Sequence, residues 1–125
     1  MIVGTGVDLC EVGRIRDVIA RHGKRFIERI YTEREIAYAE SKARRYERYA
    51  ARFAAKEAGM KALGTGWHGG IRWRDLEVSN LPSGKPTLLF HGKAAEAAAR
   101  LGTRNVSLSL THTEEQGMAL VILES

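Results

Sequence analysis

Glu57, Lys61, Asp8 and His112 have the residue types and the spacing to do chemistry. Tyr46, Ala50, Phe53, Glu57 and Met60 are spaced 4, 3, 4 and 3, which makes one apolar helical stripe with a carboxylate inside it. A buried unpaired charge is costly, so Glu57 calls for a cation, a hydrogen-bonding partner or a metal. Lys61 stands one turn on, and a Glu57–Lys61 ion pair on a partly exposed seam is the plain structural reading. Asp8 ends a run whose same-face neighbours, Gly4 and Gly6, leave room for something to approach. Its structural reading is a helix N-cap with Glu11 at the third helical position. Taken as a pair, Asp8 and Glu57 suit a hard cation such as Mg²⁺, which one or two carboxylates hold together with phosphate oxygens and waters.

His112 continues the face of Val106, Leu108 and Leu110 and is flanked by Thr111 and Thr113. It reads as a hydrogen-bonded structural residue or as a donor or acid–base group at a strand mouth. His22, His68 and His91 lie beside glycines and read as loop residues. Arg14, Arg21 and Arg25 share an outward face if one helix carries all three. Arg48, Arg52 and Lys56 form an i, i+4, i+8 row opposite the Phe53/Glu57 stripe. Such rows read as solvated faces, or as surfaces for an acidic protein helix or a phosphate-rich ligand. Gly4-Thr-Gly6 and Gly64-Thr-Gly66 lack the flanking residues of a phosphate-binding loop or a dinucleotide fingerprint.

The elements that position these residues follow from periodicity. Residues 1–9 read as a strand, Glu11 to about His22 as a helix stopped by Gly23, and 24–30 as a short helix. Thr32-Glu-Arg-Glu35 is a capping box opening a helix to about Ala43. The longest helix runs from about Tyr46 to Leu63, with Gly64 as its C-cap, and Trp67-His-Gly-Gly70 gives a mobile connection. Ile71–Ser79 and Thr87–Phe90 read as strands joined by a turn, Lys93–Leu101 as an Ala-rich helix, and Arg104–Thr111 as an alternating strand. Met118–Leu123 is apolar on both faces and reads as a central strand, joined to its predecessor by Thr113–Gly117 as a hairpin. The class is α+β, an antiparallel sheet with a long central helix and smaller helices.

At 125 residues the chain is expected to be one domain over 1–125, and its composition excludes a disordered class. The net charge of +5 favours anionic partners. Cys10 has no partner for an intrachain disulfide and reads as a small packing residue, which fits a reducing cytoplasm. No membrane span or secretory segment is expected. Aromatics are scattered rather than interleaved with the basic rows, which gives base-stacking recognition of nucleic acid little support. A chain this short builds a deep enclosed site with difficulty, so a site shared between subunits is plausible.

Gly6-Val-Asp8-Leu followed by Arg14-Ile15, and Arg52-Phe-Ala-Ala-Lys-Glu57-Ala-Gly-Met-Lys61-Ala-Leu-Gly64-Thr-Gly66, resemble the holo-acyl-carrier-protein synthases, the short trimeric group of the 4′-phosphopantetheinyl transferases. Asp75-Leu-Glu-Val78 with Gly84-Lys-Pro86, and Ser107-Leu-Ser-Leu-Thr-His112-Thr, extend the resemblance over essentially the whole chain. The resemblance implies the 4′-phosphopantetheinyl transferase fold and a homotrimer with the site at the subunit interface. It implies transfer of the 4′-phosphopantetheine arm of coenzyme A to a serine of the acidic apo-acyl carrier protein, releasing 3′,5′-ADP. It assigns Asp8 and Glu57 to Mg²⁺, Lys61 to the transferred phosphate, and Gly64, Lys85 and Pro86 to the nucleotide region. His112 and Thr113 go to the coenzyme, and Arg14 and Arg21 to the carrier; by charge, Arg52 is expected to join the coenzyme site and Arg25 the carrier surface. The proton acceptor is left open among Glu57, a metal-bound water and His112. Trp67, Trp73 and Gln116-Gly117-Met118 depart from the usual pattern. The other class of function is a non-catalytic basic α+β module binding RNA or an acidic protein, which gives no reason for Glu57.

Overall fold

The computed structural model describes residues 1–125. Five strands and five helices follow along the chain: β1 (Ile2–Glu11), α1 (Val12–His22), α2 (Lys24–Ile30), α3 (Glu33–Glu40), α4 (Arg45–Leu63), β2 (Leu76–Asn80), β3 (Pro86–Phe90), α5 (Gly92–Arg100), β4 (Asn105–His112) and β5 (Gln116–Glu124). The strands form two antiparallel sheets, one in the order β1-β5-β4 and one a β2-β3 hairpin. The α+β reading, the central place of 118–123 and both hairpins hold. The strand expected over 71–79 is shorter, because Trp73–Asp75 forms a 3-10 turn before β2 begins.

Helix α4 lies across the three-stranded sheet, and glycines set how close it comes. A Cβ on Gly6 would overlap the carbonyl oxygen of Ala58, and one on Gly4 would overlap that of Ala62. The room that Gly4 and Gly6 leave on their face is therefore filled by the helix backbone itself. Ala54, Ala55, Ala58 and Ala62 give α4 a small-residue face for this contact and are all buried. Gly64 caps the helix in the left-handed region at φ 75°, where L side chains are disfavoured.

The opposite side of α4 is also covered, and here a sequence expectation fails. Lys56 and Arg52 are not on a solvated face: their exposures are 0% and 4%. Lys56 Nζ donates to Glu35 Oε1 at 2.7 Å, to Trp73 O at 3.3 Å and to Leu76 O. Glu35, also fully buried, completes the capping box of α3 by accepting from Thr32 N, and its other oxygen accepts from Val78 N at 2.8 Å. One ion pair thus ties α3, α4, the 3-10 turn and β2 together. Its partner lies 21 residues away in sequence, which is why a helical pattern suggested water instead.

A row of rings runs beside this pair. Phe26 stacks toward Phe53 at 6.5 Å, Phe53 on Trp73 at 4.9 Å and Trp73 on Trp67 at 3.9 Å. The Trp67–Gly70 connection is anchored at its start by that last contact. Gly23, at φ 54°, separates α1 from α2, so Arg25 does not share a helix with Arg14 and Arg21, although all three are exposed.

Breaking the buried pair by Lys56→Met should cost about 3–5 kcal/mol, because it strands the Glu35 charge in the interior. The double substitution Lys56→Met, Glu35→Leu should recover most of that loss in urea-melt experiments. Equal destabilisation of the single and double variants would contradict this account.

Candidate active site

Asp8 is held in the middle of a regular ladder, opposite Ala119, rather than at a helix cap. Glu11 occupies the N-cap position of α1 without a side-chain bond, so the capping reading of Asp8 fails. The Asp8 side chain emerges next to α4, where Lys61 Nζ donates to Asp8 Oδ1 at 2.8 Å and to Val7 O at 3.1 Å. The local Glu57–Lys61 pair suggested by spacing is therefore replaced by a cross-element Asp8–Lys61 bridge. Lys61 is held above the usual lysine range, first by the hydrogen bond to Asp8 and then by that charge.

Glu57 is half-buried beside this bridge and has no hydrogen-bonding or ion-pairing side chain of its own. Burial pushes its carboxyl above the usual range, the Asp8 charge adds to the shift, and Lys61 opposes it. Two carboxylates near one ammonium, which is bonded to Asp8, leave an uncompensated negative charge, and that donor set suits a hard divalent cation.

The remaining candidates gather at the opposite edge of the sheet, by β4, on the face that α4 covers. Arg52, Asn80, Pro86, His112, Tyr38 and Arg48 line a cavity of about 180 Å³. Arg52 lies over the Tyr38 ring at 3.9 Å and donates to Asn80 Oδ1 at 3.0 Å. The Nε atoms of Arg48 and Arg52 are buried without a partner. Unpaired buried guanidinium nitrogens are unusual, and an anionic oxygen in the cavity would satisfy them. His112 enters this group with Nδ1 held 3.0 Å from Glu47 Oε1. Lys85 sits in the exposed turn before Pro86. Thr113 Oγ1 accepts from the backbone of Glu115 and Gln116, so it shapes the β4–β5 turn.

The two groups do not meet within one chain. Asp8 lies on β1 and His112 on β4, with β5 between them. Three contacts went unseen in the sequence: His112–Glu47, Thr32–Glu77 and His91–Glu77. At 3.0, 2.5 and 3.0 Å, they join residues 14 to 65 positions apart and leave no periodic signal. His91 is thus more than a loop residue, since it stands at the N-cap position of α5 and faces the Glu77 carboxylate.

Comparison with known proteins gives one answer. Residues 4–120 match the 4′-phosphopantetheinyl transferase superfamily. The chain is 66% identical over 125 residues to holo-[acyl-carrier-protein] synthase of Solibacter usitatus, covering 100% of both. The crystal structure of holo-[acyl-carrier-protein] synthase from Neisseria meningitidis superposes with a TM-score of 0.91 at 32% identity, covering 100% of each chain. A holo-(acyl-carrier-protein) synthase from Bacillus anthracis in complex with CoA (3′,5′-ADP) superposes with a TM-score of 0.81 at 39% identity, covering 100% of this chain and 98% of that one.

Cys10, the one thiol near the acidic pair, is packed rather than reactive. Burial pushes it up to about 11; Arg14 lowers it, and Asp8 and Glu57 add to the rise. The thiol is therefore held in its unreactive protonated form near neutral pH. Iodoacetamide at pH 8 should leave Cys10 unmodified in the folded protein and label it in urea, as read by mass spectrometry. Rapid labelling of the folded protein would contradict its burial.

Proposed function

This chain belongs to the 4′-phosphopantetheinyl transferase superfamily, and on that footing we propose that it transfers the 4′-phosphopantetheine arm of coenzyme A to a serine of apo-acyl carrier protein at a site built from two copies of the chain. The reaction releases 3′,5′-ADP and serves fatty acid biosynthesis in the cytoplasm. The observation that carries this reading is the paired carboxylates Asp8 and Glu57 held beside Lys61.

Asp8 and Glu57 would hold Mg²⁺, which when bound neutralises diphosphate charge that would otherwise repel an incoming hydroxyl. Lys61 is already within reach of Asp8 and adds a second positive charge for a phosphate oxygen. The carrier serine oxygen forms the new bond to phosphorus, and the bond from that phosphorus to the departing 3′,5′-ADP oxygen breaks in line. The serine proton passes to a base in the loaded site as the new bond forms. His112 lies across the sheet with Nδ1 engaged by Glu47, and its place is with the coenzyme.

Arg52, His112, Pro86 and Lys85 would bind the nucleotide end of coenzyme A, with the unpartnered Arg48 and Arg52 Nε atoms facing its phosphates. Thr113 shapes the turn beside them, and Gly64 ends α4 near the acidic pair. This group and the Asp8–Glu57 pair lie at opposite edges of the sheet, with β5 between them, and in this reading a second copy brings one of them to the coenzyme held by the other. The outer face of the sheet supports such assembly. Val7, Leu9, Met118 and Leu120 are exposed there, with Ser107, Ser109 and Thr111 alongside, so the strand Met118–Leu123 buries only one face within a single chain. A homotrimer covering that face makes it the central strand on both sides. Arg14, Arg21 and Arg25 would receive the acidic carrier.

Asp8→Ala and Glu57→Ala should each lower Mg²⁺-dependent transfer by at least about a thousandfold, with the fold intact by circular dichroism. The readout is the mass gain of the carrier with coenzyme A. Retained turnover in both variants would remove the metal site. Mixing unfolded Asp8→Ala and His112→Ala chains and refolding them together should restore activity that neither variant has alone. No recovery would place the whole site within one chain.

A further inference from the structure

A cavity of about 520 Å³ belongs to neither group of proposed site residues. Arg29, Arg72, Arg74 and His91 line it, with Ile71 and Trp73 as its apolar part. Its one acidic lining residue, Asp75, is already engaged by the backbone N of Arg72 at 2.9 Å and by that residue's guanidinium at 3.4 Å. His91 faces Glu77. Arg29 and Arg74 are exposed and have no ion-pair partner. The Trp73 indole is already engaged by Phe53, stacked at 4.9 Å, and by Trp67, tilted at 3.9 Å. What the cavity offers is two uncommitted guanidiniums at its rim over a small apolar floor.

A second cavity of about 320 Å³ adjoins it, lined by His22, Arg25, Phe26 and Arg29. Arg29 lines both. Of the basic residues assigned above to the carrier, Arg25 is therefore joined through Arg29 to Arg74 by the linings of the two cavities. The far end of this belt reaches Trp73, which packs on Phe53, one turn before Glu57.

We propose that the Arg29–Arg72–Arg74 cavity is a second docking point for the acyl carrier protein, taking an acidic segment with one apolar side chain seated against Ile71 and Trp73. This rests on the transferase reading and deepens it. The occupant is an acidic protein surface, because the unpaired charges are all positive, are spread over α2 and the 3-10 turn, and flank an apolar floor. A lone phosphate would need them to converge on one point. Two contacts at the two ends of the belt would fix the carrier's orientation as well as its affinity, and orientation decides where its serine falls relative to Glu57.

The test compares full-length Arg29→Glu/Arg74→Glu with Arg14→Glu and with the conservative Arg29→Lys/Arg74→Lys in steady-state transfer assays across a salt series. The acidic double variant should raise KM for the carrier by about tenfold and flatten its salt dependence, leave KM for coenzyme A unchanged, and be largely rescued in the Lys/Lys form. Unchanged carrier KM alongside a raised value for Arg14→Glu would overturn this docking point while leaving the transferase reading standing. Loss of RNA binding with unchanged carrier KM would assign the cavity to nucleic acid and would also overturn it. Absence of any transfer by the unmodified protein would instead sink the reading on which it rests.

Discussion

Everything in the site depends on how close α4 comes to β1. The Ala58 and Ala62 carbonyls occupy the space where side chains at Gly6 and Gly4 would be. At that separation the side chains on the helix flank and the strand edge share one small volume. Asp8, two residues on from Gly6, then falls within 2.8 Å of Lys61 and beside Glu57. A larger residue at Gly6 would lift the helix and separate the carboxylates before it touched any catalytic atom. The glycines are thus part of the chemistry, although none of them offers a functional group.

The back of α4 is fixed by a different interaction. Its Lys56–Glu35 pair is dry, and both partners are saturated with hydrogen bonds to Trp73, Leu76, Val78 and Thr32. Buried pairs add little net stability compared with apolar packing, but one that is half broken is costly, so the arrangement selects a single register. Lys56 and Glu57 are neighbours in sequence that face opposite surroundings. One locks the helix axially and the other is left uncompensated at the edge of the sheet. The helix is buried on two sides, which explains why its polar residues do not sort into one wet face.

Legibility in the sequence followed the range of the interaction. The capping box at Thr32, the α4 boundaries, the Gly64 cap and the β4–β5 hairpin depend on neighbours within a few residues, and all were readable. The acidic character of the site and the oddity of Glu57 in an apolar stripe were readable too. What failed was pairing across long separations. Lys61 was given to Glu57 because i+4 is the local choice, whereas its bridge is to Asp8, 53 positions away. Arg52 and Lys56 looked solvated because Asn80 and Glu35 do not appear in any helical period. The apolar residues on both faces of β5 pointed to a central strand, yet they say nothing of whether the second covering layer comes from the same chain. Family motifs supplied the roles that spacing left undecided at Asp8 and Glu57.

The central claim is that Asp8 and Glu57 share one divalent ion with the diphosphate of coenzyme A. A crystal structure with coenzyme A and Mn²⁺, located by its anomalous signal, tests it most directly. The account predicts one peak with an oxygen from each carboxylate in its coordination sphere, at about 2.1–2.2 Å, and with His112 of a second copy on the same coenzyme. A peak bound by only one carboxylate, or an ion on the phosphates with Asp8 still closed on Lys61, would contradict it.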